Sequence, residues 1–163
     1  MTVRLLAIMC WSILAFQGKV AGYAGVRLVV FRVASLVLAV EASAVKEILP
    51  ALKATRIPGA HSAVDGLISV RGRLMTLVDA RRALDLPTGA GKGTTILLDV
   101  GEQTAALAVD SVFDLFSVSQ SELAERGVLP GIDSKLVRSV GRQDGTSFIL
   151  LDVEALLGPI LFA

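Results

Sequence analysis

The chain has a single cysteine, Cys10, and a single histidine, His61. A disulfide within the chain is therefore excluded, and a zinc site built from Cys and His has too few ligands. Aromatic residues are scarce at 5%, which argues against the stacking platforms that hold single-stranded nucleic acid. Charge of one sign is also missing: 16 basic residues face 15 acidic ones for a net charge of +1, so no basic stripe stands ready to neutralise phosphates. What remains is 53% hydrophobic and 19% charged, a globular composition. A length of 163 residues suits one compact domain or two very small ones.

The stretch from 56 to 86, RIPGAHSAVDGLISVRGRLMTLVDARRALDL, carries the densest local information. Pro58-Gly59 marks a loop. Leu67 to Val70 and Leu74 to Val78 read as two short strands, joined at Arg71-Gly72, where glycine takes a positive φ without a Cβ clash. Asp79 follows as the expected N-cap of a helical turn through Ala83 and Leu84, stopped by Pro87.

The chain repeats this unit. Residues 144 to 152, DGTSFILLD, match 71 to 79 in the glycine, the last apolar pair and the terminal aspartate, at an offset of roughly 73 residues. Gly145 then corresponds to Gly72 and Asp152 to Asp79, with Gly158-Pro159 expected to stop the second helix. Upstream, Val26 to Val33, a turn at Ala34-Ser35 and Leu36 to Val40 form a hairpin pattern of β-branched residues, and Val45 to Leu49 is a further strand. Moved by roughly 67 positions, this block falls on 93 to 116. The difference between the two offsets implies an insertion, expected at 117–131, where Leu123 shows helical spacing. The reading is a duplicated all-β unit with short helical turns, first copy about 26–86 and second about 93–160. Each copy has too little sheet to stand flat and is best closed as a small barrel. Residues 87–93, PTGAGKG, read as a flexible joint.

Residues 1–25 differ from the rest. Arg4, an apolar run from Leu5 to Phe16 and a small-residue site at Gly22 to Ala24 imitate a secretory leader, although the favoured reading is a non-native or loosely attached N-terminal extension, such as a mis-assigned start would produce. This segment motivates an alternative function, a secreted or membrane-anchored small β-barrel that binds a ligand. Mass spectrometry of the N-terminus in the native cell discriminates the two.

Catalytic constellations are absent. Gly91-Lys92 lacks the first glycine of a phosphate loop, where Leu86 stands, and is followed by Gly93 and a strand. His61, Ser62 and Asp65 lie too close along one loop to form a triad, and no nucleophile elbow exists. Asp79, Asp110 and Asp152 end strands beside turns, so capping accounts for them. The chain is read as no enzyme, with no cofactor, metal or small-molecule substrate. Glu47, in a strand between apolar neighbours, and Arg71, at a hairpin turn, are the charges that could rim an apolar docking surface, the competing readings being solvated surface charges or a buried internal pair of Arg71 with Glu47 or Asp79.

These residues bring a family into view. From about Val26 to Leu157 the chain resembles the CheW-like domain of bacterial chemotaxis: LVVFRV, LVLAVEASAVKEIL, the whole 57–86 stretch, LAVDSVFDLF and FILLDVEALL fall at that family's spacings. It departs from the family's usual residues at His61, Ser69, Thr76 and Ala80, none of which alters the turn, the cap or the apolar pattern. The resemblance implies two small five-stranded SH3-like β-barrels related by a pseudo-two-fold axis around a common hydrophobic centre. It also implies a cytoplasmic, non-catalytic adaptor that couples chemoreceptors to a CheA-type histidine kinase. One barrel would pair with the regulatory domain of the kinase, and a groove between the barrels would receive the cytoplasmic tip of the receptor. Val45, Glu47, Arg71 and Gly72 are then the expected partner-binding residues.

Overall fold

The computed structural model of the chain describes residues 25–89, 91–124 and 131–162. The leader-like segment therefore lies outside the described residues, except for Gly25, which begins the first strand.

Among the described residues eleven strands occur in chain order: β1 (Gly25–Val33), β2 (Leu36–Glu41), β3 (Val45–Pro50), β4 (Val64–Val70), β5 (Arg73–Asp79), β6 (Thr94–Val100), β7 (Gln103–Val109), β8 (Ser111–Ser119), β9 (Leu123–Ala124), β10 (Val137–Gln143) and β11 (Thr146–Leu151). Two helices follow the aspartates, α1 (Ala80–Ala83) and α2 (Val153–Leu161). The all-β reading holds, and the strands form two sheets.

The sheets do not divide the chain at residues 87–93. One sheet has the order β8-β1-β2-β11-β10-β9 and the other β3-β6-β7-β5-β4. Each combines the first hairpin of one repeat with the second hairpin of the other, so the expected division into barrels at about 26–86 and 93–160 is replaced by an exchange. The symmetry of that exchange is visible in the ladders: β2 runs parallel to β11 as β7 runs parallel to β5, and β8 pairs with β1 as β3 pairs with β6. Both of the latter pairings carry an irregularity at the same place, beside Lys46 in one and Phe113 in the other. The turns agree as well: Arg71-Gly72 has φ of 50° and 78°, and Asp144-Gly145 has 50° and 79°. Positive φ at both central positions is what a two-residue type I′ hairpin requires.

Each sheet curls on itself. In the second sheet, Thr55, five residues beyond the end of β3, exchanges backbone hydrogen bonds with Leu67 of β4 at 2.8 Å, which joins the two edges. In the first sheet, β9 continues the edge strand β8 and pairs with β10 through Ala124 and Val140. We call the first closed sheet barrel A and the second barrel B.

Burial explains why β1 reads as one apolar run. Its Leu28 and Val30 pack with Phe116, Val118, Phe148 and Leu150 inside barrel A, while Val29, Phe31 and Val33 face a core shared by both barrels. A strand buried on both faces loses polar alternation. β6 repeats the arrangement in barrel B, with Ile96 and Leu98 in the shared core and Leu97 packed with Ile68, Leu77, Ala106 and Ala108. Barrel A is filled by the Phe116–Phe148 edge contact, ring centroids 5.7 Å apart, whereas the interior of barrel B is aliphatic.

Three local expectations change. Helix α2 continues through Gly158 and Pro159 to Leu161. A proline lacks one donor, but Ile160 and Leu161 beyond it pack against the shared core, and that burial offsets the lost bond. The region expected to be helical around Leu123 is instead strand to Ser119, a single 3-10 turn at Gln120–Glu122 with a capping box, and β9; residues 125–130 lie outside the described residues. The joint expected to be flexible is tethered at Pro87 and Lys92: Pro87 O accepts from Arg81 Nη1 at 3.3 Å, and Lys92 Nζ bonds Asp65 and Asp79 at 2.7 and 2.9 Å.

Candidate functional site

An open groove of about 1010 Å³ lies at one end of barrel B, bounded by β3, the β4–β5 hairpin, β6 and the β6–β7 turn. Its apolar floor includes Val70, Met75 and Leu97, side chains that also line the barrel interior. The aliphatic filling leaves this end open, since Met75 occupies the place that Phe148 fills in the other repeat at an offset of roughly 73. Leu74, 72% exposed, stands on the hairpin beside the groove, the most exposed large hydrophobic among the described residues.

Charges ring that floor. Glu47 shares its strand face with Leu49, which packs in barrel B, so its carboxylate emerges at the barrel mouth. Arg71 closes over it in a two-pronged pair, Nη1 to Oε2 at 2.6 Å and Nη2 to Oε1 at 2.5 Å. β3 and β4 are opposite edges of the open ladder, so only closure of the sheet brings these groups together. The guanidinium side chain is 74% exposed while that of Glu47 is 14% exposed. The pair anticipated as a buried alternative therefore does form with Glu47, but with its arginine at the surface. The carboxylate fixes the planar fork at the surface, beside the groove. Lys46 and Asp99, 3.2 Å apart and about half exposed, extend the charged rim.

The other expected partner residues fall as follows. Gly72 is exposed at the turn next to Arg71, and a Cβ there would meet nothing within 4 Å. Val45 is 1% exposed and packs in the shared core, so its side chain anchors β3 where that strand borders the groove.

The capping residues are where the sequence places them. Asp79 accepts from Arg81 N at 2.9 Å and Asp152 from Ala155 N at 3.0 Å. Their own amides donate to equivalent carbonyls, Asp79 N to Ala63 O and Asp152 N to Leu136 O. Gly145 occupies the turn that matches Gly72. Asp79 does more than cap: its Oδ2 also meets Arg82 Nε at 3.2 Å and Lys92 Nζ at 2.9 Å, and Arg82 and Lys92 both bond Asp65. Sequence reasoning missed this network, although the two arginines at the second and third positions after Asp79 were a signal for it. The loop residues that imitate a triad are engaged in structure, His61 Nδ1 accepting from Ala63 N at 3.1 Å and Asp65 held by Arg82 and Lys92. Nothing in this arrangement places a base against a nucleophile.

Comparison with known proteins agrees with this architecture. A family model described as the CheW-like domain matches residues 27–160. Two curated relatives carry the name chemotaxis protein CheW. The one from Bacillus subtilis (strain 168) is 28% identical over 137 residues, spanning 82% of this chain and 87% of its own. The one from Rhizobium meliloti (strain 1021) is 32% identical over 120 residues, spanning 72% and 76%. Among solved structures, the crystal structure of the scaffolding protein TtCheW from Thermoanaerobacter tengcongensis superposes with a TM-score of 0.76 at 20% identity, covering 82% of this chain and 92% of that one.

Proposed function

We propose that this chain, which belongs to the CheW-like domain family, couples chemoreceptors to a CheA-type histidine kinase as a non-catalytic adaptor. Its coarse role is that of a chemotaxis scaffold protein, and its partners are chemotaxis signalling proteins. The finer assignment has one barrel pairing with the regulatory domain of the kinase. The receptor's cytoplasmic helical tip docks by its apolar face between the barrels. The setting is cytoplasmic, with membrane association only through the receptor complexes. Among the described residues no helix is long and apolar enough to cross a membrane.

The observation that carries this reading is the exposed Arg71 fork over Glu47 at the edge of an open groove with Leu74 beside it. An apolar floor supplies burial and a charged rim supplies register, the division of labour that protein interfaces use. The near-balanced charge of the chain disfavours nucleic acid as the partner. Affinity capture with the tagged full chain in its host, followed by the same capture with Glu47→Lys, tests the reading. Recovery of a histidine kinase and of chemoreceptors by the wild type and loss of the kinase by the variant are expected. Recovery of neither by the wild type would overturn it.

A further inference from the structure

Barrel B hands the chain to barrel A across one residue. β7 ends at Val109, β8 begins at Ser111, and Asp110 alone lies between them. The symmetry-related passage, from Glu41 of β2 to Val45 of β3, takes a 3-10 turn at Ala42–Ala44 whose N-cap makes no side-chain capping bond.

Asp110 is bonded to both sides of the crossing. Its amide donates to Arg32 O at 3.0 Å and its Oδ2 accepts from Ala34 N at 2.9 Å, both on the β1–β2 hairpin of barrel A. Its carbonyl accepts from Gly93 N at 3.2 Å, at the entry to β6 of barrel B. Its carboxylate also meets Arg81 of α1, Oδ1 to Nε at 3.2 Å and Oδ2 to Nη2 at 2.6 Å. The two side chains are 17% and 13% exposed, so water screens the pair little. Gly89 and Gly91 lie against it: a Cβ on Gly89 would come within 2.7 Å of Arg81 Nη1, and one on Gly91 within 3.2 Å of Asp110 Cγ. Hydrogen bonding to Asp110 raises the Arg81 pKa above its ordinary value, against a smaller lowering by burial, so the guanidinium keeps its charge.

The repeat does not duplicate this device. At the offsets of roughly 73 and 67 residues, the counterparts of Arg81 and Asp110 are Glu154 and Ser43, which cannot form an ion pair. One crossing is therefore bolted and the other is a short turn without a bolt.

We propose that Asp110 is the fixed joint between the two barrels and Arg81 the residue that locks it, so that relative movement of the barrels pivots at Asp110 and opens at Ala42–Ala44. Both act as positioning residues. Neither lines the groove of barrel B. The inference stands on the geometry of the crossing and does not depend on which proteins dock.

Residual dipolar couplings and amide exchange on the full chain test it. In the wild type one alignment tensor fits the amides of both barrels. In Arg81→Gln each barrel fits its own strands but the two require different tensors, and the Ala34 amide exchanges about tenfold faster as the acceptor loses its fixed position. Arg138→Ala, which removes the half-exposed Arg138–Glu41 pair near the other crossing, leaves the single tensor intact. Arg81→Lys keeps the charge and loses the fork; it is read in the same way where Arg81→Gln does not fold. One shared tensor with unchanged Ala34 exchange in the arginine variants would overturn the proposal. So would unfolding of both variants, because the pair would then belong to the folding of the barrels themselves.

Discussion

Replacing Arg71 with asparagine separates a docking role from a structural one. Arg71 sits at φ 50°, a left-handed conformation that costs an ordinary L-residue about 1 kcal/mol and that asparagine accepts more readily. The backbone term therefore favours the variant. Against it stands the pair with Glu47, whose guanidinium side is 74% exposed and whose contribution is of the order of a surface pair, about 0–1 kcal/mol. Glu47 itself is 14% exposed, but it opens onto the groove, where water replaces the lost donor. The two terms nearly cancel. The net change stays within about 1 kcal/mol, which for a chain of this size is a shift of about 2–4 °C in Tm. Binding has no such compensation, because asparagine reaches neither the distance nor the charge of the fork. An interface anchor of this kind is worth about 1–3 kcal/mol, or roughly a 5- to 150-fold rise in Kd. Thermal unfolding and calorimetric titration with the kinase regulatory domain and with a receptor tip fragment read both quantities on one variant. A collapse of Tm by more than about 10 °C would show that the pair holds barrel B together. Unchanged affinity for both partners would show that the fork does not touch either.

The capping aspartates should differ despite their symmetry. Asp152→Ala loses a cap alone, about 0.5–2 kcal/mol, whereas Asp79→Ala also takes an acceptor from Arg82 and Lys92 and should cost about 1 kcal/mol more in urea unfolding. Added salt should narrow that gap, since part of it is ionic; equal costs at every salt concentration would remove the network from the account. Gly66→Ala should be severe, about 3 kcal/mol or more, because a Cβ there would be driven into the Thr55 carbonyl that closes barrel B, in a position where φ is already 148°. Gly72→Ala, with open space around its Cβ, should cost only the conformational penalty of about 1–2 kcal/mol. Similar melting temperatures for the two glycine variants would mean that the Thr55–Leu67 bridge does not hold the barrel closed.

What could be read from the chain was local. The turn at Arg71-Gly72, the caps at Asp79 and Asp152 and the hairpin at Ala34-Ser35 each depend on a few neighbouring residues, and all appear where their residue types require them. Self-comparison also identified which segments are alike. It could not say which copy each segment joins, because β1 pairs with β8 and β2 with β11 across nearly the whole chain, and two like hairpins satisfy the same apolar pattern in either partner. That ambiguity hid the exchange between the repeats. Pro159 misled for a related reason: a local stop signal was outweighed by burial of Ile160 and Leu161, which no local pattern reports. At the site, Glu47 and Arg71 were recognisable as charges in apolar surroundings, but their contact depends on barrel closure across 24 residues. Asp110 read only as a cap, and its bonds to Ala34 and Arg81, 76 and 29 residues away, appear only once the barrels are assembled.

The most direct test is sedimentation of a mixture of the kinase with receptor fragments, with and without the full chain. The account predicts a complex containing all three proteins that forms only when the chain is present and is lost with Arg71→Asn, while that variant keeps its fold by circular dichroism. Kinase and receptor sedimenting together to the same extent without the chain, or the chain binding neither, would contradict the claim that it couples them.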